Sequence, residues 1–447
     1  MNDFTSPASP SRAWFALAVL LMLIPAVITC VFEYSIFVNY TLDAPGAYWR
    51  DGRPIATDFV QFAAVAEAWE RGRIHQIYES IERQREFETL AADLPKPYAD
   101  TLTFNYPPFV CWLLRPLAPL PYQWRYVCWV LMQFSFALVG LWCWRKELGP
   151  KAFGVVALAW FVSPPVINTF ILGHQAFMAM GIVSVVLCLL NRQRDFVAGL
   201  ALSLLLYKPP LGIVIGPMLL LAGRWRAVFG VLIGASGLAL ASLAVSVKAC
   251  QDYRGMGKIL LSLAGETPDF YAKHFNLLAF VATYLELRPV DFTWMHWSLV
   301  IVPSVMLFVL VARAWCFPWR PGTLEWSAGA SASLLTTLVM TPYLYSYDTM
   351  IAAVAGVYSV RTWHARPDWH RWYILACIGI AGYFVGSDIL LMESMQKNLG
   401  FRVQLTPFAF AAWAALEAWW AIGRRLVDES ATNLSIRSEG ARESSPG

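Results

Sequence analysis

Residues 14–38 read WFALAVLLMLIPAVITCVFEYSIFV, a stretch with a single charged side chain, Glu33. At a rise of about 1.5 Å per residue, a helix of this length crosses the roughly 30 Å hydrocarbon core of a bilayer. The stretch is longer than the apolar part of a signal peptide and lacks a small-residue cleavage site at its end. It therefore predicts a signal anchor that is retained in the membrane.

Similar segments recur along the chain and predict an all-α polytopic membrane protein with about 12 transmembrane helices. The chain is 58% hydrophobic and 14% charged, whereas soluble proteins are about 25% charged. Its net charge of +4 gives no indication of nucleic acid binding. We expect one membrane domain over 1–425 and a disordered cytoplasmic tail over 426–447. The predicted spans are 13–39, 123–144, 152–171, 174–191, 195–207, 209–222, 226–247, 294–316, 324–341, 344–361, 371–391 and 402–423.

The distribution of arginine among the loops predicts the topology. Alternate short loops are rich in arginine, and such loops face the cytoplasm. Both termini are then cytoplasmic, and the two long loops, 40–122 and 248–293, are outside. This parity requires that the proline-rich stretch 105–120 forms a re-entrant or interfacial element. The arginine-rich loops contain Arg145, Arg192, Arg194, Arg224, Arg226, Arg313, Arg320, Arg361, Arg366, Arg371, Arg424 and Arg425.

The first outer loop also contains predicted helices. Phe59, Phe62, Ala66 and Trp69 recur at helical spacing, which predicts an amphipathic helix over 59–71 that lies on the membrane. A second, more charged helix is predicted over 76–92.

Ionisable residues collect near the outer ends of the apolar segments. A charge inside the hydrocarbon costs about 2.5–3.5 kcal/mol on insertion scales, so such residues often mark a working site. The arrangement predicts an enzyme whose chemistry takes place at the outer leaflet. The residues are Glu33, His174, Lys208, Asp348 and Asp388.

Asp58 and Lys208 are the first two candidates. Asp58 precedes the predicted helix of the outer loop, where it could be a catalytic carboxylate or a helix N-cap with Gln61 as its capping-box partner. Lys208 precedes Pro209 and Pro210, which break a pair of short apolar segments. It could neutralise a lipid phosphate, or it could extend from a helix end to the headgroups.

Two outer turns supply further candidates. His174 and Gln175 follow Gly173 in a tight turn, where a histidine could donate to a phosphate or a sugar hydroxyl, or be an ordinary turn residue. Tyr345 and Asp348 lie in the late turn TPYLYSYD, residues 341–348. Aromatic rings with one acid suit sugar binding, although an interfacial aromatic belt predicts the same tyrosines.

Lys273 and His274 lie in the second outer loop, with Asn276, Arg254 and Arg288 nearby in sequence. This basic cluster could receive a phosphate or form a solvated loop face.

The sequence predicts neither a metal site nor a cofactor. It has no compact acidic cluster with metal-ligand spacing, and its eight cysteines contain no Cys-x-x-Cys pair. It also lacks the glycine-rich loops that bind nucleotides. An enzyme that uses a soluble nucleotide-sugar is therefore disfavoured.

An ordered set of motifs resembles glycosyltransferase family 87 over roughly residues 55–360. No single motif is strong, but their order and spacing are fairly specific. The motifs are Thr57-Asp58-Phe59, Phe104-Asn105-Tyr106-Pro107-Pro108, Arg115-Pro116-Leu117, Gly173-His174-Gln175, Tyr207-Lys208-Pro209-Pro210 and Arg224-Trp225-Arg226.

The resemblance implies a GT-C fold and an inverting transfer from a polyprenyl-phosphate-linked sugar, with mannose as the sugar it suggests. It implies Asp58 as general base, and it adds Asn105 and Tyr106 to the substrate-binding candidates. The other partners would be membrane lipids and a lipid or glycan acceptor. Its implied location is a bacterial inner membrane, with the active site outside. Relatives often have a histidine in the late outer turn, where this chain has Tyr345-Ser346-Tyr347-Asp348, so no role of that histidine is transferred.

Two other functions fit part of the pattern. A lipid or solute transporter or flippase also places charges in broken helices, but here the charges lie at one face and no internal repeat is evident. An O-antigen ligase or polymerase type of enzyme would share the lipid-linked donor.

Overall fold

The computed structural model describes residues 31, 56–92, 103–161, 163–255, 271, 274–363 and 406–443. Within these ranges the chain forms helices joined by turns, and no strand occurs there. The predicted spans 13–39 and 371–391 lie outside the described residues, apart from position 31. The candidates Glu33, Lys273 and Asp388 also lie outside them.

Fifteen helices of the described residues position the site. The first nine are α1 Val60–Glu70, α2 Ile81–Ala91, α3 Pro108–Leu117, α4 Tyr122–Glu147, α5 Pro150–Phe161, α6 Pro164–Leu172, α7 Ala176–Asn191, α8 Asp195–Tyr207 and α9 Pro209–Leu221. The remaining six are α10 Trp225–Val245, α11 Leu277–Leu285, α12 Trp294–Cys316, α13 Leu324–Met340, α14 Ile351–Trp363 and α15 Thr406–Glu443, of which the last includes the end of the predicted span 402–423. A further helical stretch covers 247–255.

Three of these helices, α4, α10 and α12, are long and apolar enough to cross a membrane. The helices α5 and α6 meet at an angle of 46° and make a fourth span if they are counted together. Their bend lies at the break before Pro164 and Pro165, which begin α6, so the helix over the predicted span 152–171 is broken. The chain is thus a helical membrane protein, while the count of 12 spans stays a prediction.

The buried centre of the bundle is α13. Its residues from Trp326 to Val339 are all buried, because α12, α14 and α15 pack around it. Hydroxyl side chains inside it bond to carbonyls one turn earlier, as Thr336 does to Ala332 (2.8 Å) and Thr337 to Ser333 (2.9 Å). These bonds satisfy polar groups that would otherwise be costly to bury.

The helix α1 does not lie on the membrane surface as predicted. All its residues from Val60 to Ala68 are buried, since α2, α3 and α4 contact it. It begins at Val60 with Phe59 as its cap residue and has no side-chain cap. The prediction that Asp58 could cap this helix with Gln61 as partner stays a prediction. The predicted helix 76–92 begins later, at Ile81, after a cap by Ser80.

The remaining helices refine the other boundaries. At about 1.5 Å per residue α3 is roughly 15 Å long, too short to cross a bilayer, which agrees with the prediction that 105–120 does not span. Lys208 separates α8 from α9 with extended backbone angles, φ −140° and ψ 74°, as its two following prolines predicted. The last helix continues to Glu443, through residues that the sequence predicted to be disordered.

The arginine-rich loops gather at one end of the bundle. There Arg361 and Asn191 both donate to Glu147 Oε2, at 2.7 and 2.8 Å. The Asn191 side chain also accepts from the Gly322 amide at 2.8 Å. The turns that contain the candidate site residues lie at the other end, as the alternation of loops predicted. Which end faces the cytoplasm stays a prediction.

Candidate functional site

Several turns from distant parts of the chain meet at the end of the bundle opposite the arginine-rich loops. The turn before α1 joins the end of α6, because the Phe59 amide donates to the Leu172 carbonyl at 3.1 Å. The start of the α11 region joins the late turn 341–350, where the Phe275 amide donates to Leu344 at 2.8 Å. That late turn also reaches the break between α8 and α9, through Thr341 Oγ1 and the Pro210 carbonyl at 3.2 Å. The bundle therefore brings polar turn residues together at one place.

A buried ion pair lies at the centre of this end. Lys208 Nζ contacts Asp348 Oδ1 and Oδ2 at 2.6 and 2.7 Å, and the Asp348 side chain is 1% exposed. The Tyr345 amide donates to Oδ2 as well, at 3.2 Å. The structure therefore corrects the view of Lys208 as a single cation: it is paired with a carboxylate 140 residues away.

His174 lies against the same pair through Tyr347. The His174 and Tyr347 rings stack with their centroids 3.6 Å apart. Lys208 Nζ lies 5.5 Å from the centre of the Tyr347 ring and makes a cation–π contact with it. His174 is 3% exposed. The Tyr106 hydroxyl is 3.4 Å from its Nε2, whereas Nδ1 has no hydrogen-bond partner in the part of the chain that the structure describes.

Tyr106 is held by the first outer loop. Gln84 of α2 bonds both backbone groups of Phe104, receiving from its amide at 2.8 Å and donating to its carbonyl at 3.2 Å. The Tyr78 hydroxyl donates to the Tyr106 carbonyl at 2.5 Å. These bonds fix the extended stretch 104–106, so α2 positions the Tyr106 ring although α2 itself lies away from the ion pair.

Burial raises the pKa of the Tyr106 phenol, and the nearby charges of Asp348 and Asp58 raise it further. Tyr106 therefore stays protonated and can donate. When its hydroxyl donates to His174 Nε2, the neutral imidazole must have its own proton on Nδ1. The Gln175 amide lies beside the same hydroxyl but makes no hydrogen bond of standard geometry within the described ranges.

Asp58 lies in the turn 57–59 at the edge of this cluster and is 9% exposed. The next residue, Phe59, packs its ring against Tyr122 and Tyr126, with centroids 5.6 Å apart in each case. Gly173 makes the close approach possible, because its φ is +71° and a Cβ there would lie 2.7 Å from Phe59 Cβ. The Asp58 turn is thus packed directly on the turn that contains His174.

His274 and Tyr345 form the far side of the site. Their ring centroids are 4.4 Å apart, and Tyr345 stacks on Tyr347 at 5.3 Å. His274 is fully buried, so it is not part of the solvated loop face that the sequence left open. Asn276 next to it caps α11 and donates to the Pro342 carbonyl at 3.0 Å.

Most of the predicted site residues therefore come together, with two exceptions. Lys273 lies outside the described residues. Asn105 is half-buried next to Tyr106 in the chain, and no contact places its side chain at the ion pair. Arg288, named with Lys273 in the basic cluster, pairs instead with Asp291 at 2.8 Å.

Sequence reasoning assigned Tyr347, like Tyr343 and Tyr345, either to sugar binding or to an aromatic belt, and it missed the pairing of Lys208 with Asp348. A signal for the pairing was present, because a buried cation and a buried acid at the same predicted membrane face each need an opposite charge. The spacing of Tyr343, Tyr345 and Tyr347 was instead compatible with an aromatic belt, and only the stacked geometry identifies Tyr347.

The arrangement combines three chemical abilities. The Nδ1–H of the neutral His174 ring and the ammonium of Lys208 can both donate to an anion. The buried aromatic rings can stack on a sugar, and the carboxylate of Asp58 can accept a proton. Among the described residues no group of three or more histidines, cysteines and acids could hold a metal ion.

The family model of glycosyltransferase family 87 matches residues 104–342, just over half of the chain. No curated protein matches the chain, and no solved structure matches it. The matched region contains Tyr106, His174 and Lys208. Asp58 precedes it and Asp348 follows it.

Proposed function

Because the chain belongs to glycosyltransferase family 87, and is therefore a membrane glycosyltransferase, we propose that it transfers a sugar from a polyprenyl-phosphate donor to a lipid or glycan acceptor. The proposed sugar is mannose, and the proposed site of transfer is the outer face of a bacterial inner membrane. The observation that supports this proposal most is the buried Lys208–Asp348 pair, next to a histidine whose Nδ1 has no hydrogen-bond partner among the described residues.

The donor phosphate would contact Lys208 and His174. The Lys208 side chain is 15% exposed, and in this proposal the phosphate contacts the ammonium on the side away from Asp348. Nδ1 of His174 supplies a second donor, which lacks an acceptor among the described residues. Fixed donors of this kind stabilise charge that develops on a leaving phosphate.

Asp58 would act as general base. The acceptor hydroxyl attacks the anomeric carbon from the face opposite the phosphate, and Asp58 takes its proton as the new bond forms. Inversion at the anomeric carbon follows from this single displacement. A placed base contributes typically about 10²–10⁴-fold to the rate.

Asp58 suits this role better than Asp348. Both oxygens of Asp348 are bound by Lys208, and one also accepts from the Tyr345 amide. If Asp348 accepted a proton, it would lose this ion pair with Lys208. Asp58 lies at the edge of the cluster. The next residue, Phe59, bonds Leu172 just before the turn that contains His174.

Transfer of radiolabelled mannose from polyprenyl phosphate to extracted membrane lipid tests the proposal. The Asp58→Asn variant should lose a hundredfold or more of the rate at normal protein levels, since asparagine keeps the size but cannot accept the proton. Asp195→Asn is a matched control, because Asp195 is also a buried acid (5% exposed) but pairs with Arg224 at the arginine-rich end. It should keep most of the transfer. Undiminished transfer by Asp58→Asn would exclude it as the base, and no transfer by the unaltered protein would exclude this donor.

A further inference from the structure

The Lys208 ammonium is already neutralised before any substrate binds. It lies 2.6 and 2.7 Å from the two oxygens of Asp348. Because hydrogen bonds to an ammonium are about 2.8 Å long, any anion that Lys208 contacts lies within about 5.5 Å of that carboxylate. The Asp348 carboxylate therefore repels any anion that Lys208 binds.

We propose that Asp348 is a positioning residue that holds the net charge of the donor-phosphate site near zero, so that the product phosphate can leave. This inference rests on the function proposed above. During transfer the bond between the anomeric carbon and the phosphate oxygen breaks, and its electron pair stays on that oxygen. The new bond joins the anomeric carbon to the acceptor oxygen, whose proton goes to Asp58.

The charge of the phosphate rises in this step. The donor is a phosphodiester with one negative charge, and the product is a phosphomonoester whose second pKa is near 6, so that it is close to doubly charged at neutral pH. A single buried ammonium would hold the dianion far more tightly than the monoanion, since one more unit of charge in contact exceeds the 1.36 kcal/mol of a tenfold change. Product would then accumulate on the enzyme.

Asp348 offsets about half of this preference at these distances. Its carboxylate repels each added negative charge from about 5.5 Å, while Lys208 attracts it from hydrogen-bond distance, and the two effects differ by less than either alone. The aromatic packing keeps the pair in place, because Tyr347 contacts both Lys208 and His174. The monoester and diester should therefore bind with affinities within about tenfold of one another.

Binding of two short lipids to the full-length protein in detergent tests this without turnover. Farnesyl phosphate is the monoester and methyl farnesyl phosphate is the diester, and isothermal titration at pH 8 keeps the monoester fully doubly charged. In the Asp348→Asn variant the ratio of the diester Kd to the monoester Kd should rise at least tenfold. In the control Asp195→Asn, whose ion pair with Arg224 lies at the opposite end, the ratio should stay that of the unaltered protein.

The outcomes separate the two proposals. If both lipids bind and Asp348→Asn leaves the ratio unchanged, this inference is overturned while the proposed function stands. If the unaltered protein binds neither lipid, the proposed phosphate site is wrong and this inference falls with it. The same follows if the Lys208→Met variant binds both lipids with unchanged affinity. Should Asp348→Asn fail to fold, the unaltered protein decides: a ratio under about tenfold supports the inference, and a larger preference for the monoester overturns it.

Discussion

Substituting Gly173 by alanine should lower both the stability of the protein and its rate of transfer. A residue with a Cβ in the left-handed region costs about 1–2 kcal/mol, and φ at Gly173 is +71°. The added Cβ would also lie 2.7 Å from Phe59 Cβ and 3.2 Å from Ala56 Cβ. Overpacking of this kind costs about 1–3 kcal/mol more. The free energy of unfolding should therefore fall by roughly 2–5 kcal/mol in a detergent–denaturant titration.

Gly72 provides a matched control, because its φ is +66° and nothing lies within 4 Å of its Cβ position. Gly72→Ala should lose only the backbone part, about 1–2 kcal/mol. It lies beyond the far end of α1, so the whole helix, about 16 Å long, separates it from Asp58.

The effect on transfer should differ even more. Phe59 and Ala56 flank Asp58 in the chain, so Gly173→Ala displaces the carboxylate, and a misplacement of about 1 Å can cost about a hundredfold in rate. We expect a loss of tenfold to a hundredfold for Gly173→Ala and little change for Gly72→Ala, measured below the unfolding temperature of both. Equal behaviour of the two variants in stability and transfer would refute the close packing of the Asp58 turn on Gly173.

Two further substitutions separate binding from folding. His174→Phe keeps a ring to stack on Tyr347 but removes Nδ1, so the KM for the donor should rise about tenfold or more, as expected for a lost hydrogen bond to a charged group; an unchanged KM would exclude His174 from the phosphate site. Arg125 is 3% exposed and bonds Glu67 at 2.9 Å and Glu70 at 2.6 Å. Its change to methionine leaves the buried Glu67 short of one cation, and the free energy of unfolding should fall by about 3–5 kcal/mol; a loss under about 1 kcal/mol would show that this pair contributes little.

The long helices could be predicted because their signal is local. The segments 123–144, 226–247 and 294–316 are long, mostly apolar runs with one arginine each, and the structure has α4, α10 and α12 there. The break at Lys208 could also be predicted, since two prolines cannot continue a helix. In each case a few neighbouring residues contain all the information needed.

The error at α1 has a physical cause that the sequence also contained. The periodic residues Phe59, Phe62, Ala66 and Trp69 suggested one apolar face, but the residues between them are mostly apolar too. A helix that is apolar on nearly all sides is buried. Gln61 and Glu67 are its buried polar residues, and Arg71 and Arg125 both pair with Glu67. Counting the polar side of the helix, and not only its apolar stripe, would have given the correct environment.

The site itself could be predicted only as a set of separate candidates. Lys208 and Asp348 are 140 residues apart, and the hydrophobicity pattern of a single sequence does not show which distant residues contact each other. Their pairing depends on how α13 and the late turn pack against the α8–α9 break, through contacts such as that of Thr341 with Pro210. Tertiary packing decides which of several plausible charges meet.

The family match includes some of the proposed site residues and leaves out others. The match over 104–342 includes Tyr106, His174 and Lys208, the residues that we place around the donor phosphate. Both carboxylates lie outside it. The choice of Asp58 over Asp348 as base rests on the resemblance of Thr57-Asp58-Phe59 to the family motif and on the ion pair of Asp348, whose two oxygens both contact Lys208. If Asp348 were the base, it would have to release Lys208 in each cycle, and Lys208→Met would then speed proton transfer instead of weakening donor binding. The two assignments therefore predict different effects of Lys208→Met, a change in kcat if Asp348 is the base and a rise in the KM for the donor if Asp58 is the base.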